Sequence, residues 1–185
     1  MHYLTPLLIL LLGTCARAQE HEVLRSKTAV YQIRSTQDST LAYAGNIDQG
    51  QPLSSLDWAW NSQNACFVEP RKAEFTGNAV FYRTDIPKYS TMVIRLIPDD
   101  PKEHLSLLAY SGGWGKLPPE LNGCVSCEAD FQLDRPVRGR TRPAHIRSVE
   151  LRAVNRPYPV TIGVFGADGR RQGGYRIEVS VKRNR

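Results

Sequence analysis

The sequence has little of what catalysis and metal binding usually require. Beyond the N-terminal region its histidines are His21, His104 and His145. None lies in an HExxH pattern, no serine sits in GxSxG, and no DxDxDG calcium loop occurs. Asp99, Asp100 and Glu103 precede His104, but Pro98–Pro101 is turn chemistry as written, so a solvated turn is expected there and no cofactor is called for. After residue 20 no stretch approaches the ~20 apolar residues of a membrane helix. No segment there sustains a 3.6-residue apolar period with caps, and no internal repeat or low-complexity tract is present. Ser54–Asn64 has room for one short helix at most.

The chain of 185 residues is 41% hydrophobic and 23% charged, ordinary values for a globular protein. Leu7–Leu12 forms a short apolar core followed by small residues at Ala16 and Ala18, which matches a signal peptide cut before Gln19. Leu12-Gly-Thr-Cys15 also approximates a lipobox, although Thr14 is a poor residue ahead of a lipid-modified cysteine. Removal of residues 1–18 takes away Arg17 and lowers the formal net charge from +6 by one, to +5. A secreted or periplasmic protein of one domain is expected, since what remains suffices for one well-buried core.

Export permits disulfides, and three cysteines follow the leader: Cys66, Cys124 and Cys127. An odd count leaves one thiol over. Cys124-Val-Ser-Cys127 follows a Pro- and Gly-rich stretch, not a strand opening a helix, so a redox pair is disfavoured. Neither His104 nor His145 completes a recognised zinc spacing. A local Cys124–Cys127 staple is expected, with Cys66 a buried thiol.

Met92–Ile97, Leu105–Tyr110, Ser148–Val154, Val160–Phe165 and Tyr175–Val181 are strand-like runs separated by Gly/Pro turns. In the last, Tyr175, Ile177, Val179 and Val181 face one way and Arg176, Glu178, Ser180 and Lys182 the other, the pattern of a half-buried antiparallel strand. Gly166–Gly174 is a hairpin connection before it. Together these predict an all-β antiparallel β-sandwich or jelly roll over 53–185. Residues 19–52, polar and uneven around Ala29–Ile33, read as a partly ordered N-terminal arm.

The order of Gly77–Tyr82, Ile86-Pro87, Thr91–Leu96, Leu105–Tyr110, Val160–Ala167 and Gly174–Val179 resembles bacterial pre-peptidase C-terminal domains, over roughly Leu56 to Val181. The resemblance implies a small secreted β-sandwich of the kind attached to exported hydrolases, acting in secretion, solubility or surface binding and carrying no catalytic residues. Two features depart from that pattern: no protease domain precedes it, and Leu117–Asp130 is an insertion. A stand-alone envelope protein is the nearest likeness.

Two groups are candidates for ligand contact. Arg135, Arg138, Arg140, Arg142 and Arg147 crowd one stretch broken by Pro136, Gly139 and Pro143, so several guanidinium groups are expected on a loop. Arginine takes sulfate, phosphate or carboxylate through paired donors, which points to a polysaccharide or other polyanionic surface ligand. Lipid headgroups carry the same chemistry, nucleic acid is not the expected partner, and a protein partner stays open. The alternative is a loop kept charged against strand addition. Trp114 sits between glycines in Gly112–Gly115, as on a loop tip, and supplies the ring for a carbohydrate-binding alternative. Trp58 and Trp60, two apart, read as core.

Overall fold

In a computed structural model of the chain, the described residues are 28–56, 69–113, 116–118, 123–133, 139 and 143–184. The leader, Trp58, Trp60, Cys66, Trp114, Arg135, Arg138, Arg140 and Arg142 lie outside them. The strands are β1 (Ala29–Gln32), β2 (Ser39–Asn46), β3 (Gln51–Pro52), β4 (Asn78–Ile86), β5 (Ser90–Pro98), β6 (Leu105–Gly112), β7 (Cys124–Asp130), β8 (Arg147–Ala153), β9 (Tyr158–Gly166) and β10 (Gly174–Arg183). Short 3₁₀ turns occupy Ile47–Gln49 and Glu69–Phe75.

The strands make a two-layer β-sandwich. One sheet has the order β1-β4-β9-β6-β7 with β3 also on β4, and the other the order β2-β10-β5-β8. Every pairing is antiparallel except β1 on β4. Residues 28–52 are therefore not an arm: they supply strands to both sheets, and the expectation of partial order there is corrected.

Period-two alternation places the core. In β10 the inward set is Tyr175, Ile177, Val179 and Val181, opposite Met92, Ile94 and Leu96 of β5 and Val80, Tyr82 and Ile162 of the facing sheet. Tyr82 and Tyr175 meet across the sandwich, their buried hydroxyls hydrogen-bonding to each other at 2.8 Å, which satisfies both without water. The contact needs Gly45 on β2, where a Cβ would stand 2.3 Å from the Tyr82 hydroxyl.

The six-stranded sheet is apolar on its outer face as well. Leu56, Phe75, Phe81, Leu108, Tyr110, Cys124 and Phe165 form a second cluster, against which Leu53, Leu117 and Phe131 pack. Phe75 stands edge-on to both Phe165 and Phe131, at 5.4 and 5.9 Å. Buried on both sides, β6 alternates no longer: all eight of its residues are buried.

Connections 33–38, 87–89 and 154–157 gather at one end of the sandwich, where β6 ends and β7 begins, and 47–50, 99–104 and 167–173 at the other, where β7 ends and β8 begins. Strands of this length separate the two ends by roughly 25–30 Å.

Arg147 opens β8 at the second of these ends and is fully buried, so it is a core residue and not a surface ligand group. Its guanidinium donates through Nε to the Leu105 carbonyl at 3.1 Å and through Nη1 to the Ala144 carbonyl. The correction has a plain cause: β8 alternates Arg147, Val149, Leu151, Ala153 inward, and position 147 falls on that face. Arg147→Ala is expected to leave a cavity and strip the buried Leu105 carbonyl and the partly buried Ala144 carbonyl of a donor, at about 3–5 kcal/mol. Thermal unfolding should fall by on the order of 10 °C. An unchanged midpoint would show the side chain to be dispensable to the fold.

Burial raises the ionisation of the Tyr82, Tyr110 and Tyr175 hydroxyls above the ordinary value, and for Tyr175 the neighbouring Tyr82 adds to it. A group raised in the folded state contributes its full stability below its unfolded value and loses it as pH climbs toward the folded one. Stability should therefore decline above roughly pH 10. Tyrosinate absorbance in an alkaline titration should fall short of all eight tyrosines until the chain unfolds. Complete titration with the fold intact would contradict this.

Candidate functional site

Of the residues singled out in the sequence for ligand contact, Trp114, Arg135, Arg138, Arg140 and Arg142 lie outside the described residues, and Arg147 is buried. The Cys124–Cys127 staple is not formed. Both residues lie in β7, and Cys127 is in a disulfide while Cys124 is not, so the two are not joined to each other. Cys124 is a buried thiol whose ionisation burial raises, so it stays protonated and poorly nucleophilic at neutral pH. Cys127 is disulfide-bonded, to a partner outside the described residues. What ties the start of the β6–β7 connection instead is Tyr110, whose hydroxyl donates to the Lys116 carbonyl at 2.6 Å.

The first end carries the more suggestive surface. A cleft of about 410 Å³ opens there, walled by Val125, Pro157, Tyr158 and Pro159, with Asp85 and Arg156 at its margins. Each wall has a local cause. Val125 is bulged out of register where β7 leaves β6, between the pairs Ser111–Ser126 and Gly112–Cys124, and is 47% exposed. Pro157 and Pro159 flank Tyr158 and stiffen the entry into β9. Arg156 lies over the Tyr158 ring at 5.1 Å and donates from Nε to its hydroxyl at 2.9 Å. That uses one of five guanidinium N–H donors.

In the β4–β5 connection at the same end, Lys88 and Tyr89 make a second pair of the same kind, the ammonium 5.8 Å from the ring centroid. Tyr89 has φ +54°, a left-handed conformation uncommon for a bulky residue. Its N–H donates to the Val154 carbonyl at 3.0 Å and its carbonyl accepts from Asn184 N–H at 2.7 Å, so the backbone is pinned on both sides. The ring nonetheless stands 52% exposed, next to Val154 at 68%.

A wider groove of about 600 Å³ follows β2 and the end of β10, lined by Ser39, Thr40, Ser180, Lys182 and Asn184. Its walls bond one another, Thr40 Oγ1 to Ser180 Oγ at 3.0 Å and Arg183 N–H to Asp38 Oδ1 at 3.0 Å. It is less apolar than the cleft, and its cations are Lys182 and Arg183.

Among the described residues at this end, Arg34, Lys88, Lys116, Arg156, Lys182 and Arg183 stand with Asp38 and Asp85. The opposite end carries Glu74, Asp99, Asp100, Glu103, Asp130 and Asp168 among its basic residues. Burial, followed by Asp168, raises Glu74; burial, opposed by Arg170, raises Glu103. Among the described residues no group of three or more His, Cys, Asp or Glu is arranged to hold a metal ion. No helix among them is long and apolar enough to cross a membrane.

Sequence reasoning passed over Lys88, Tyr89, Arg156 and Tyr158. The signals were an aromatic where a turn favours glycine, and the run Arg156-Pro-Tyr-Pro159.

No protein-family model matches the chain, and no curated protein matches it in sequence. Among solved structures it is similar to the pre-peptidase C-terminal domain of a collagenase from Bacillus anthracis, at 10% identity and a TM-score of 0.38, over 84% of this chain and 96% of that one. It is also similar to PliG, a periplasmic inhibitor of g-type lysozyme from Aeromonas hydrophila, at 9% identity and 0.40, over 83% and 98%. A third is the surface-associated copper-binding protein CorA of Methylomicrobium album BG8, at 11% identity and 0.43, over 83% and 98%. The likeness to pre-peptidase C-terminal domains is one of overall architecture, and at these values it carries no argument about activity.

If the Tyr89 ring served the fold, its loss would be costly. Tyr89→Gly removes the left-handed strain of about 1–2 kcal/mol and adds chain entropy of about 0.5–1 kcal/mol. The unfolding midpoint should stay within ~2 °C. A fall of 5 °C or more would make the ring structural.

Proposed function

We propose that the chain is an exported, non-catalytic β-sandwich module with a binding role at the cell surface or in the periplasm, its ligand anionic. One observation carries this: at one end two tyrosines each hold a cation against the ring, the exposed Tyr89 with Lys88 and the half-buried Tyr158 with Arg156, and the second pair lines a cleft with Val125 and two prolines. Paired aromatic and guanidinium groups on a rigid scaffold are what binding surfaces concentrate, because they give contact area and charge at little entropic loss. The leader-like residues 1–18 support export. The Arg135–Arg142 run of the sequence adds a second source of positive charge, for the same class of ligand.

The test is retention of the purified chain on immobilised dextran sulfate, polyglutamate and neutral dextran, at low and at physiological salt. Retention on the two anionic supports, weakened as salt screens it, is expected. Salt-insensitive retention on neutral dextran would favour a carbohydrate-binding module working through exposed aromatics. Retention on none of the three would overturn the reading.

A further inference from the structure

We infer that the end of the sandwich formed by the 87–89 and 154–157 connections docks on the surface of an anionic lipid bilayer, with the Tyr89 and Val154 side chains entering the headgroup layer and the surrounding cations meeting lipid phosphates. The inference rests on the proposed binding role, and it names the class of ligand and the place where the chain meets it.

Three observations lead to it. First, the exposed large hydrophobic residues are unevenly placed. Among the described residues they are Tyr31, Tyr89, Val125, Leu133 and Val154, and the two most exposed, Val154 and Tyr89, are backbone neighbours. Tyr89 N–H donates to the Val154 carbonyl at 3.0 Å, so the two residues share one spot on the surface. They lie just beyond the last rung of the four-stranded sheet, where Ser90 pairs with Ala153 on one side and Arg183 on the other. Neither residue lines the cleft or the groove. An acidic polypeptide needs a depression to seat its apolar side chains, and a soluble polyanion has no use for Val154. A planar layer of charged headgroups over hydrocarbon takes both the apolar tip and the charge around it.

Second, positive charge rims the spot. Lys88 precedes Tyr89, and Arg156 follows Val154 by two residues. Asn184 N–H donates to the Tyr89 carbonyl at 2.7 Å, which brings the end of β10 with Lys182 and Arg183 alongside. Of the described carboxylates nearby, Asp38 accepts from Arg183 N–H, Asp85 lines the cleft with Arg156, and Glu150 is paired with Arg152 at 2.9 Å. Lys88, Arg152, Arg156, Lys182 and Arg183 outnumber all three of them. Each Lys or Arg held near an anionic bilayer adds to its attraction.

Third, the backbone fixes the aromatic residue. Tyr89 has φ +54° and both of its backbone polar groups are hydrogen-bonded, so a pinned turn presents the ring. A tyrosine ring sits among headgroups with its hydroxyl in water, and the neighbouring Lys88 reaches phosphate. A ring already held in place loses little freedom on entering that layer.

The experiment measures co-sedimentation of the purified chain with vesicles of phosphatidylcholine alone and of phosphatidylcholine mixed with phosphatidylglycerol. Binding to a random glutamate–tyrosine copolymer and retention on dextran sulfate are measured beside it. The mixed vesicles are expected to bind about tenfold tighter than phosphatidylcholine alone. Tyr89→Gly with Val154→Ser keeps every charge; it is expected to weaken binding to the mixed vesicles about fivefold and to leave retention on dextran sulfate unchanged. Lys88→Gln with Arg156→Gln is expected to weaken vesicle binding by a similar factor. Lys102→Gln with Arg171→Gln removes the same charge at the opposite end and is expected to change it less than about twofold. Each variant is measured well below its own unfolding midpoint.

Retention on dextran sulfate without binding to either vesicle would overturn the inference and leave an anionic ligand standing. Vesicle binding indifferent to Tyr89→Gly with Val154→Ser would make the contact purely ionic and overturn the entry of those side chains. Binding to the copolymer with none to vesicles would assign the tip to an acidic protein instead. Binding to no probe would remove the proposed function as well.

Discussion

The six-stranded sheet is apolar on both faces, and the arrangement of the rest follows from having to cover it twice. Its inner face meets the four-stranded sheet, as in any sandwich. Its outer face has no third sheet to meet, so Phe81, Leu108, Tyr110 and Phe165 are closed over by connecting chain: Leu53 and Leu56, the turn ending at Phe75, Leu117 and Phe131. Burying a side chain of that size is worth about 1.5–3 kcal/mol, enough to hold an irregular segment whose backbone alone would not stay put. The long connections are therefore cover before they are anything else. The short ones, 87–89 and 154–157, have nothing to cover and are left to display what they carry.

That division explains what the sequence announced and what it hid. The runs at 92–97, 105–110, 148–154, 160–165 and 175–181 are strands because β-branched or aromatic residues recur in them between Gly and Pro breaks, a signal that needs no tertiary context. β2 escaped because its outward face is Thr40, Ala42 and Ala44, small residues that give Leu41 and Tyr43 no polar contrast. β1 is four residues long and pairs in parallel with a strand far along the chain, which no local pattern foretells. β7 escaped for another reason: the bulge at Val125 breaks the period, so Cys124 and Cys127 pair opposite Gly112 and Tyr110 on one face of β6 and look like a loop motif on paper.

The binding surface was less legible than the fold. Arg147 is continuous in sequence with four other arginines, and only the inward register of β8 separates it from them. Conversely, Lys88, Tyr89, Arg156 and Tyr158 lie in two short connections far apart in the chain, and the antiparallel ladders of β4 with β9 and β5 with β8 bring those connections to one end. Spacing along the chain holds no trace of that meeting. The turn at Tyr89 does hold a trace. Closing β4 onto β5 requires one left-handed residue, and glycine would supply it without strain. A tyrosine there adds little to the core, since half its ring is in water.

Charge makes the two ends unequal to an approaching acidic partner. The ends are separated by roughly 25–30 Å, several times the Debye length of about 8 Å at physiological salt. A ligand near one end therefore does not feel the other, and the modest net positive charge of the whole chain says little about where binding occurs. At the end with Glu74, Asp99, Asp100, Glu103 and Asp168, the described carboxylates stand among Lys102, Arg170 and Arg171, which offset them. At the end with Lys88 and Arg156 the described carboxylates are Asp38, already holding the Arg183 N–H, and Asp85. Among the described residues, therefore, local imbalance at each end and not the net charge of the chain sets the sign of the field that an approaching molecule meets.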